Sequence, residues 1–364
     1  MRKILHIILY FTLTGYSLKA QEKADQYYTS SLIELSEMLE GNREQNFKRA
    51  VFVVENAFFE GGIDFDKYCK KIGDLKWLCE EYINANRNNF LYDGEDKEKI
   101  IVNAAIFKII TEKIPILLST TDTVYHLPYT YDFTDIWGRE DWSKMFVAKL
   151  LDTHTGNCHS LPFLYKILAE ELGITAHLAL APNHIYIKHR SEKLGMYNSE
   201  LTSATFPVDA WLMASGYIHL DAIKSGIYMD TLSLQQSIAL CIVDLAKGYE
   251  RKFGTGNGEF ILLSCNMALK YYPNCINAML LKAEILKNKF DAIKEQHGAK
   301  HPGEIFHVKE AKGLFTEYEL LIGHIHQLGY RKMPEKMYLE WLVSLKKEEE
   351  KYVNKKIISN FHIK

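Results

Sequence analysis

The sequence has no excess of charge of either sign and no long apolar segment beyond its first twenty residues. Its 364 residues include 44 Lys and Arg against 46 Asp and Glu, a formal net charge of −2. This balance does not favour a nucleic-acid groove or an anionic membrane surface as a partner. No later stretch reaches the roughly eighteen consecutive apolar residues typical of a membrane-spanning helix, so we expect no stable membrane span after the first twenty residues.

The sequence also lacks the short motifs by which metal and nucleotide sites are usually recognised. Several histidines lie near Cys158 along the chain, but neither a CxxC nor an HExxH pair occurs. The stretch GTGNGEF, residues 254–260, follows no apolar strand and lacks the Lys-Ser/Thr of a phosphate-binding loop. We therefore predict no metal site and no cofactor.

The first twenty residues, MRKILHIILYFTLTGYSLKA, differ from the rest of the chain. A basic start precedes an apolar run that ends near the small residue Ala20. This layout is typical of a secretory signal peptide over 1–20. An uncleaved anchor helix is the alternative, but polar residues interrupt the run and leave it short for a membrane span. The sequence thus predicts an exported protein, periplasmic or secreted.

An exported chain with an even number of cysteines raises the question of disulfides. Six cysteines are present, and their spacings match no small disulfide framework. A chain of this length can be stable without such cross-links, because it buries a large core. We expect most of these cysteines to be buried small apolar residues.

Helical periodicity dominates both ends of the chain. The segment 21–119 is predicted as an N-terminal helical region, and 226–364 as a second helical region that ends in an amphipathic helix. Within the latter, GEFILLSCNMALKYYPNCINAMLLKAEILKN weakly resembles a tetratricopeptide pair, with Ala268 before Pro273 and Ala283 in the next helix. Such a region suggests a surface for a protein partner.

The stretch TGNCHSLPFLYKILAEELG places Cys158 directly before a predicted helix. The apolar residues recur at helical spacing, and Gly173 ends the pattern. Unpaired N–H groups and the positive end of the dipole at a helix N-terminus stabilise a thiolate. Gly156 would permit the close approach of the chain that this arrangement requires.

Three strand-like runs follow this helix. ITAHLALA, HIYIKHR and MYNSELTS predict three antiparallel strands, with a turn at Pro182 and Asn183 between the first two. His184 opens the second run, and Glu200 lies on the third. The order nucleophile, imidazole, carboxylate is that of a catalytic triad, in which the carboxylate orients the base.

These motifs, GNCHSLPFLYKILAEELG, NHIYIKH and YNSELTS, resemble the core of the bacterial transglutaminase-like superfamily, which has a papain-like fold. The resemblance covers roughly 130–210 and implies an α+β fold with a core over 120–225. It implies Cys158 as nucleophile, His184 as general base, and Glu200, followed by Thr202, as the orienting carboxylate. Two departures are visible, since the family's third residue is usually Asp and its histidine is usually followed by Ala-Trp.

The expected function is thiol-dependent acyl transfer, most simply hydrolysis of a peptide or isopeptide amide in a peptide or protein substrate. The alternative is a catalytically inactive module that binds a peptide, a cell-wall fragment or a protein partner, which the two departures favour. His189 and Asp209 are reserve members of the triad, although His189 lies on the opposite face of a regular strand from His184. Residues 153–155 are candidates for a second oxyanion donor, among which the sequence does not choose.

Overall fold

The computed structural model describes residues 25–119, 121–256, 258–345 and 347. The predicted signal peptide, 1–20, lies outside the described residues, as does most of the charged tail after 345. The chain is mostly helical with small antiparallel and parallel sheets, in agreement with the predicted α+β class. None of the helices in the described part of the chain is long and apolar enough to cross a membrane.

The helices are numbered in chain order. They are 25–40 (α1), Phe47–Phe58 (α2), Phe65–Asn86 (α3), Lys97–Thr111 (α4), Val147–Thr153 (α5), Ser160–Glu171 (α6), Asp209–Ser215 (α7), Leu220–Lys224 (α8), Leu234–Phe253 (α9), Glu259–Tyr271 (α10), Ile276–Gln296 (α11), Lys309–Gln327 (α12) and 335–345 (α13). Short 3₁₀ turns cover Arg87–Asn89, Trp142–Met145 and Pro302–Ile305.

The strands form three small sheets. They are Ile114–Leu117 (β1), Thr123–His126 (β2), Thr130–Tyr131 (β3), Thr155–Gly156 (β4), His177–Ala181 (β5), His184–Ser191 (β6) and Gly195–Ser199 (β7). β1 and β2 form an antiparallel hairpin, β3 and β4 pair in parallel, and β5-β6-β7 form an antiparallel sheet in that order.

The N-terminal region departs from the helical prediction at its end. Helix α4 stops at Thr111, and residues 114–117, which the sequence assigns to the helical region, instead form strand β1 of the β1–β2 hairpin. Pro115 disfavours helical backbone at the residue before it and cannot donate a helical hydrogen bond. The β-branched residues around it suit a strand.

The central sheet follows the predicted order of one helix and three antiparallel strands. α6 packs against β5 and β6, and the register pairs Ala181 with His184 across the predicted turn. Strand β7 is shorter than expected and ends at Ser199. Glu200 follows it and bonds through its backbone to Thr205, at 2.9 and 3.0 Å.

One continuous hydrophobic core joins all three predicted regions. It runs from Tyr28 in α1 to Leu328 just after α12, and α2 packs closely against α9. A second, smaller cluster belongs to the C-terminal part of the chain. Its buried members are Met333, Tyr338, Trp341, Leu342 and Leu345.

Candidate active site

The fold brings together the three residues that the sequence singles out. Cys158 lies in the turn immediately before α6, His184 is the first residue of β6, and Glu200 directly follows β7. All three side chains are buried: Cys158 is 8% exposed, His184 3% and Glu200 1%. The convergence follows from the antiparallel pairing of β5, β6 and β7 beside the start of α6.

The turn that carries Cys158 is held by its neighbours. Gly156 has no room for a side chain, because a Cβ there would collide with the hydroxyl of Ser160 and with Leu150. The Asn157 Oδ1 atom accepts hydrogen bonds from the backbone N–H groups of His159, at 2.9 Å, and Ser160, at 3.2 Å. Asn157 therefore caps the helix start, and these two N–H groups are already occupied.

His184 and Glu200 form a tight buried pair. The His184 Nε2 and Glu200 Oε2 atoms are 2.6 Å apart, and both side chains are almost completely removed from solvent. The other carboxylate oxygen, Oε1, accepts the backbone N–H of Thr202 at 2.8 Å. Glu200 is thereby fixed on both oxygens, and it in turn fixes the plane of the imidazole.

The remaining ring nitrogen of His184 is left for the thiol. Nδ1 is buried and has no conventional hydrogen-bond partner among the described residues. The His184 ring and the Cys158 sulfur are close enough that each stabilises the charged form of the other. The Cys158 Sγ atom also lies 3.8 Å from the Asn183 carbonyl oxygen and 3.7 Å from the Tyr338 hydroxyl.

The electrostatics of the pocket favour an ion pair between thiolate and imidazolium. Burial by itself would raise the pKa of the Cys158 thiol, but His184 outweighs it through charge and a hydrogen bond, so this pKa lies below its usual value. Burial likewise opposes the charged form of His184, yet Glu200 and Cys158 hold its pKa well above the usual range for histidine. Shifts in these directions are typical of a cysteine and a histidine that work together in catalysis.

Two tyrosines complete the surroundings of the sulfur. Hydrogen bonds from Tyr338 and from Tyr131, in β3, further lower the pKa of Cys158, after the larger effects of burial and His184. Trp341 stands edge-on against the His184 ring, with centroids 4.6 Å apart. The sequence indicates an amphipathic C-terminal helix, but no pattern in it predicts that this helix or Tyr131 reaches the thiol.

A second histidine–carboxylate pair, partly buried, begins at the residue after Cys158, and no pattern in the sequence predicts it. The Nδ1 atom of His159 is 2.9 Å from the Met145 carbonyl oxygen, and its Nε2 is 3.0 Å from the Asp244 Oδ2 atom in α9. Burial lowers the pKa of His159, but Asp244 more than offsets this and raises it. The pair anchors the Cys158 turn to α9 across 85 residues of sequence.

Glu55 anchors the neighbouring helix in a similar way. Its two carboxylate oxygens accept the backbone N–H groups of Val147, at 2.6 Å, and Ala148, at 2.8 Å, at the start of α5. Burial raises the pKa of Glu55 to about 8, although these hydrogen bonds and His159 oppose the rise. Helix α5, which leads into the Cys158 turn, is thus capped from α2.

The reserve residues of the sequence analysis have other contacts. His189 bonds the Ser199 hydroxyl at 3.0 Å, and burial lowers its pKa to about 3. Asp209 accepts hydrogen bonds from Lys188, at 3.0 Å, and from Asn198, at 2.8 Å. Neither is part of the cluster around the thiol.

The three candidates for an oxyanion donor lie at the junction of α5 and β4. The Thr153 hydroxyl donates to backbone carbonyl oxygens of Lys149 and Thr155, and the ring of His154 stacks on Tyr129 at 4.6 Å. Thr155 pairs with Thr130 in the parallel β3–β4 sheet. These contacts point away from an oxyanion role for the three side chains.

Other features of the described residues offer no rival centre of comparable chemistry. A cavity of about 510 Å³ lies between α3 and α5, lined by Lys67, Lys71, Lys149 and their neighbours rather than by the triad. No group of three or more His, Cys, Asp or Glu in the described part of the chain has the arrangement of a metal site. All six cysteines are free, and all but Cys69 are buried, which confirms their prediction as mostly buried apolar residues.

Searches against protein-family models, curated proteins and solved structures found no match to this chain. The assignment of a function therefore depends on the geometry and electrostatics of the site itself.

Proposed function

We propose that this protein is an exported cysteine-dependent acyl-transfer enzyme that hydrolyses a peptide or isopeptide amide. The observation that carries the proposal is the buried imidazole of His184, bound through Nε2 to Glu200 with Nδ1 left for the Cys158 thiol. We also propose that 120–225 is a transglutaminase-like core. The helix-then-three-strand order and the positions of the triad support this.

The reaction begins with attack of the Cys158 thiolate on the carbonyl carbon of the amide. A C–S bond forms, and the carbonyl π electrons move onto oxygen. When the tetrahedral intermediate collapses, the C–N bond breaks and the His184 imidazolium gives its proton to the departing amine. Water then attacks the thioester while His184 takes one of its protons. The C–S bond breaks, the carboxylic acid leaves, and the thiolate–imidazolium pair is restored.

Glu200 is the positioning residue in this scheme. Its carboxylate stabilises the imidazolium that persists until the amine departs, and the bond from Thr202 keeps it in place. Glutamate is one methylene longer than the aspartate usual in the resembled family. The placement of Glu200 just beyond the end of β7 accommodates the extra length.

The oxyanion would form near the N-terminus of α6. The N–H groups of His159 and Ser160 are engaged by Asn157, so the backbone N–H of Cys158 itself is the proposed first donor. The Tyr131 hydroxyl, which lies beside the thiol and hydrogen-bonds to it, is the proposed second donor. This choice replaces the side chains of 153–155.

The second candidate is a catalytically inactive binding module, and one observation favours it. Cys158 is only 8% exposed, so little of the residue is open to a substrate in this conformation. The pair α10 and α11, which the sequence likens to a tetratricopeptide unit, would then be the surface that engages a protein partner. The lowered pKa of Cys158 argues against this reading, because a purely structural buried cysteine has a raised pKa.

The thiol titration separates the two candidates. The ultraviolet absorbance of thiolate is followed against pH in the wild type and in Cys158→Ala, and the difference reports Cys158 alone. We expect a thiolate that persists well below the usual cysteine pKa of about 8.5. Cys158→Ala should also abolish labelling by a thiol-reactive amide probe.

Cys69→Ala is the matched control. Cys69 is the most accessible cysteine, and burial together with nearby acidic residues raises its pKa, so its removal should leave the low-pH part of the titration unchanged. A Cys158 thiol that titrates at or above the usual value would refute the enzyme and leave the binding module.

A further inference from the structure

The helix α13 covers the thiol and the imidazole directly. Tyr338 places its hydroxyl 3.7 Å from the Cys158 sulfur, and Trp341, one helical turn later, packs edge-on against His184. Both contacts lie against a pair that, in the proposed function, must meet a substrate carbonyl. A nucleophile with a lowered pKa under a side-chain cover is a closed site rather than an inert one.

The cover is built as a unit of its own. The buried residues of α13 form a small hydrophobic cluster distinct from the main core, packed against partly buried aromatic and aliphatic side chains of the site wall. These wall residues are Tyr131, Ile136, Trp137 and Trp211. Tyr131 and Trp211 of this wall also pack against the main core, so removal of α13 would expose a surface that borders that core.

The polar attachments of α13 are few among the described residues. The Trp341 Nε1 donates to the Ser215 hydroxyl at 3.1 Å, and Glu335 meets Arg139 at 3.2 Å in an exposed salt bridge of the kind that contributes little. The preceding residues 330–334 have no regular structure, and Arg331 and Lys332 are exposed. A short helix on an irregular connection, held mainly by one small cluster, belongs to the part of a protein that opens locally.

We infer that α13 is an intramolecular shield that closes the Cys158–His184 site and must be displaced before substrate can reach the thiol. The inference rests on the proposed function, because a shield matters only over a reactive group. It extends that function, because the activity would be controlled by access of the substrate to the thiol rather than by the chemical step. Displacement would uncover the aromatic wall together with the nucleophile, so the same surface would then receive the substrate.

The test measures access to Cys158 in the full-length chain. The rate at which iodoacetamide alkylates Cys158 is followed by mass spectrometry of its peptide, in the wild type and in the double variant Trp341→Ala/Leu345→Ala. Both substitutions remove buried side chains of the shield. We expect alkylation of Cys158 to become at least about tenfold faster, because the open state is more populated.

The outward face of the same helix offers a matched control. Leu339 and Val343 are exposed, 43% and 51%, so Leu339→Ala/Val343→Ala should change the alkylation rate by less than about twofold. Equal rates in the two double variants would overturn the shield. So would a wild-type Cys158 that reacts as fast as the uncovered one.

Other cysteines report whether the fold survives. Cys241 and Cys265 are buried in the main core, 1% and 0% exposed, and should remain protected in the double variant. If they too become reactive, the milder variant Trp341→Phe is tested instead. It keeps an aromatic ring beside His184 and removes the hydrogen-bond donor to Ser215. A rise of about threefold at Cys158 is then expected, and an unchanged rate contradicts the inference.

The outcomes for the shield and for the enzyme can be told apart. Alkylation that accelerates while Cys158 titrates as an ordinary thiol would support the shield and refute the hydrolase. A lowered pKa of Cys158 with no change in its alkylation rate would support the hydrolase and refute the shield.

Discussion

The molecule contains two histidine–carboxylate pairs near Cys158, one fully buried (His184–Glu200) and one partly buried (His159–Asp244), and they use their ring nitrogens differently. His184 bonds Glu200 through Nε2 and keeps Nδ1 without a conventional partner, whereas His159 uses both ring nitrogens, on Asp244 and on the Met145 carbonyl oxygen. In each pair the carboxylate raises the pKa of the imidazole against the effect of burial. The charge state is therefore similar, but the capacity to exchange a proton is not.

This difference separates a base from an anchor. A general base needs one nitrogen that can reach the reacting group, and only His184 has one. His159, with both positions filled, cannot take a proton from a substrate without giving up a structural bond. His159 is adjacent to Cys158 in sequence, but the proposed catalytic partner of Cys158 is His184, 26 residues away.

The largest effect is expected when the Nδ1 atom of His184 is removed. His184→Gln should raise the pKa of Cys158 by at least about 2 units, equivalent to about 2.7 kcal/mol, because burial then acts on the thiolate without an imidazolium to offset it. The measurement is the thiolate titration by ultraviolet absorbance, corrected with Cys158→Ala.

His159→Gln is the comparison for this variant. It removes an imidazole next to the thiol in sequence while leaving His184 in place, so the Cys158 titration should move by less than about half a unit. Equal shifts in both variants would mean that the two pairs act on the thiol in the same way, contrary to the distinction drawn here.

A smaller effect, on stability, is expected from the anchor. Asp244→Asn should lower the free energy of unfolding by about 2 kcal/mol, because it leaves the partly buried imidazole of His159 with a weaker partner. The pKa of His159 is raised in the folded protein, so this stabilisation is complete below about pH 6.5, the usual histidine value, and is lost as the pH rises through the folded-state pKa. Urea unfolding of the wild type and of Asp244→Asn, below about pH 6.5 and above the folded-state pKa of His159, measures whether the difference in the free energy of unfolding decreases as the pH rises.

The thiol titration serves as the control for the anchor. Asp244 does not touch the thiol, so the variant should keep the Cys158 pKa near that of the wild type. A loss of stability that grows with rising pH would contradict the assignment of a charged His159.

The local part of this architecture is legible in the sequence, because it depends on short-range signals. Helical spacing after Cys158, a turn at Pro182 and Asn183, and alternation around His184 are each set within a few residues, and the strand order then follows from chain connectivity. The convergence of Cys158, His184 and Glu200 needs only that local order. The helical prediction after α4 is wrong because Pro115 interrupts an otherwise helical pattern.

Contacts between distant elements had no comparable signal. Asp244 meets His159 across 85 residues, and Tyr338 meets Cys158 across 180. The periodicity of an amphipathic helix such as α13 indicates that one face is buried. It does not indicate which surface of the protein that face packs against. In the same way, no sequence pattern predicts that Glu55 in α2 caps the start of α5.

The smallest effect concerns the one polar contact between the shield and the thiol. Tyr338→Phe keeps the ring in the cluster and removes the hydroxyl that stabilises the Cys158 thiolate, so the pKa of Cys158 should rise by about half a unit, under about 1 kcal/mol. The thiolate titration measures the shift, and Tyr217→Phe, at an exposed tyrosine, should show none. Because the apolar cover remains, the alkylation rate of Cys158 should change no more than the altered thiolate fraction requires. A large acceleration of alkylation would instead mean that the hydroxyl itself holds α13 in place, and that closure and thiolate stabilisation are one interaction rather than two.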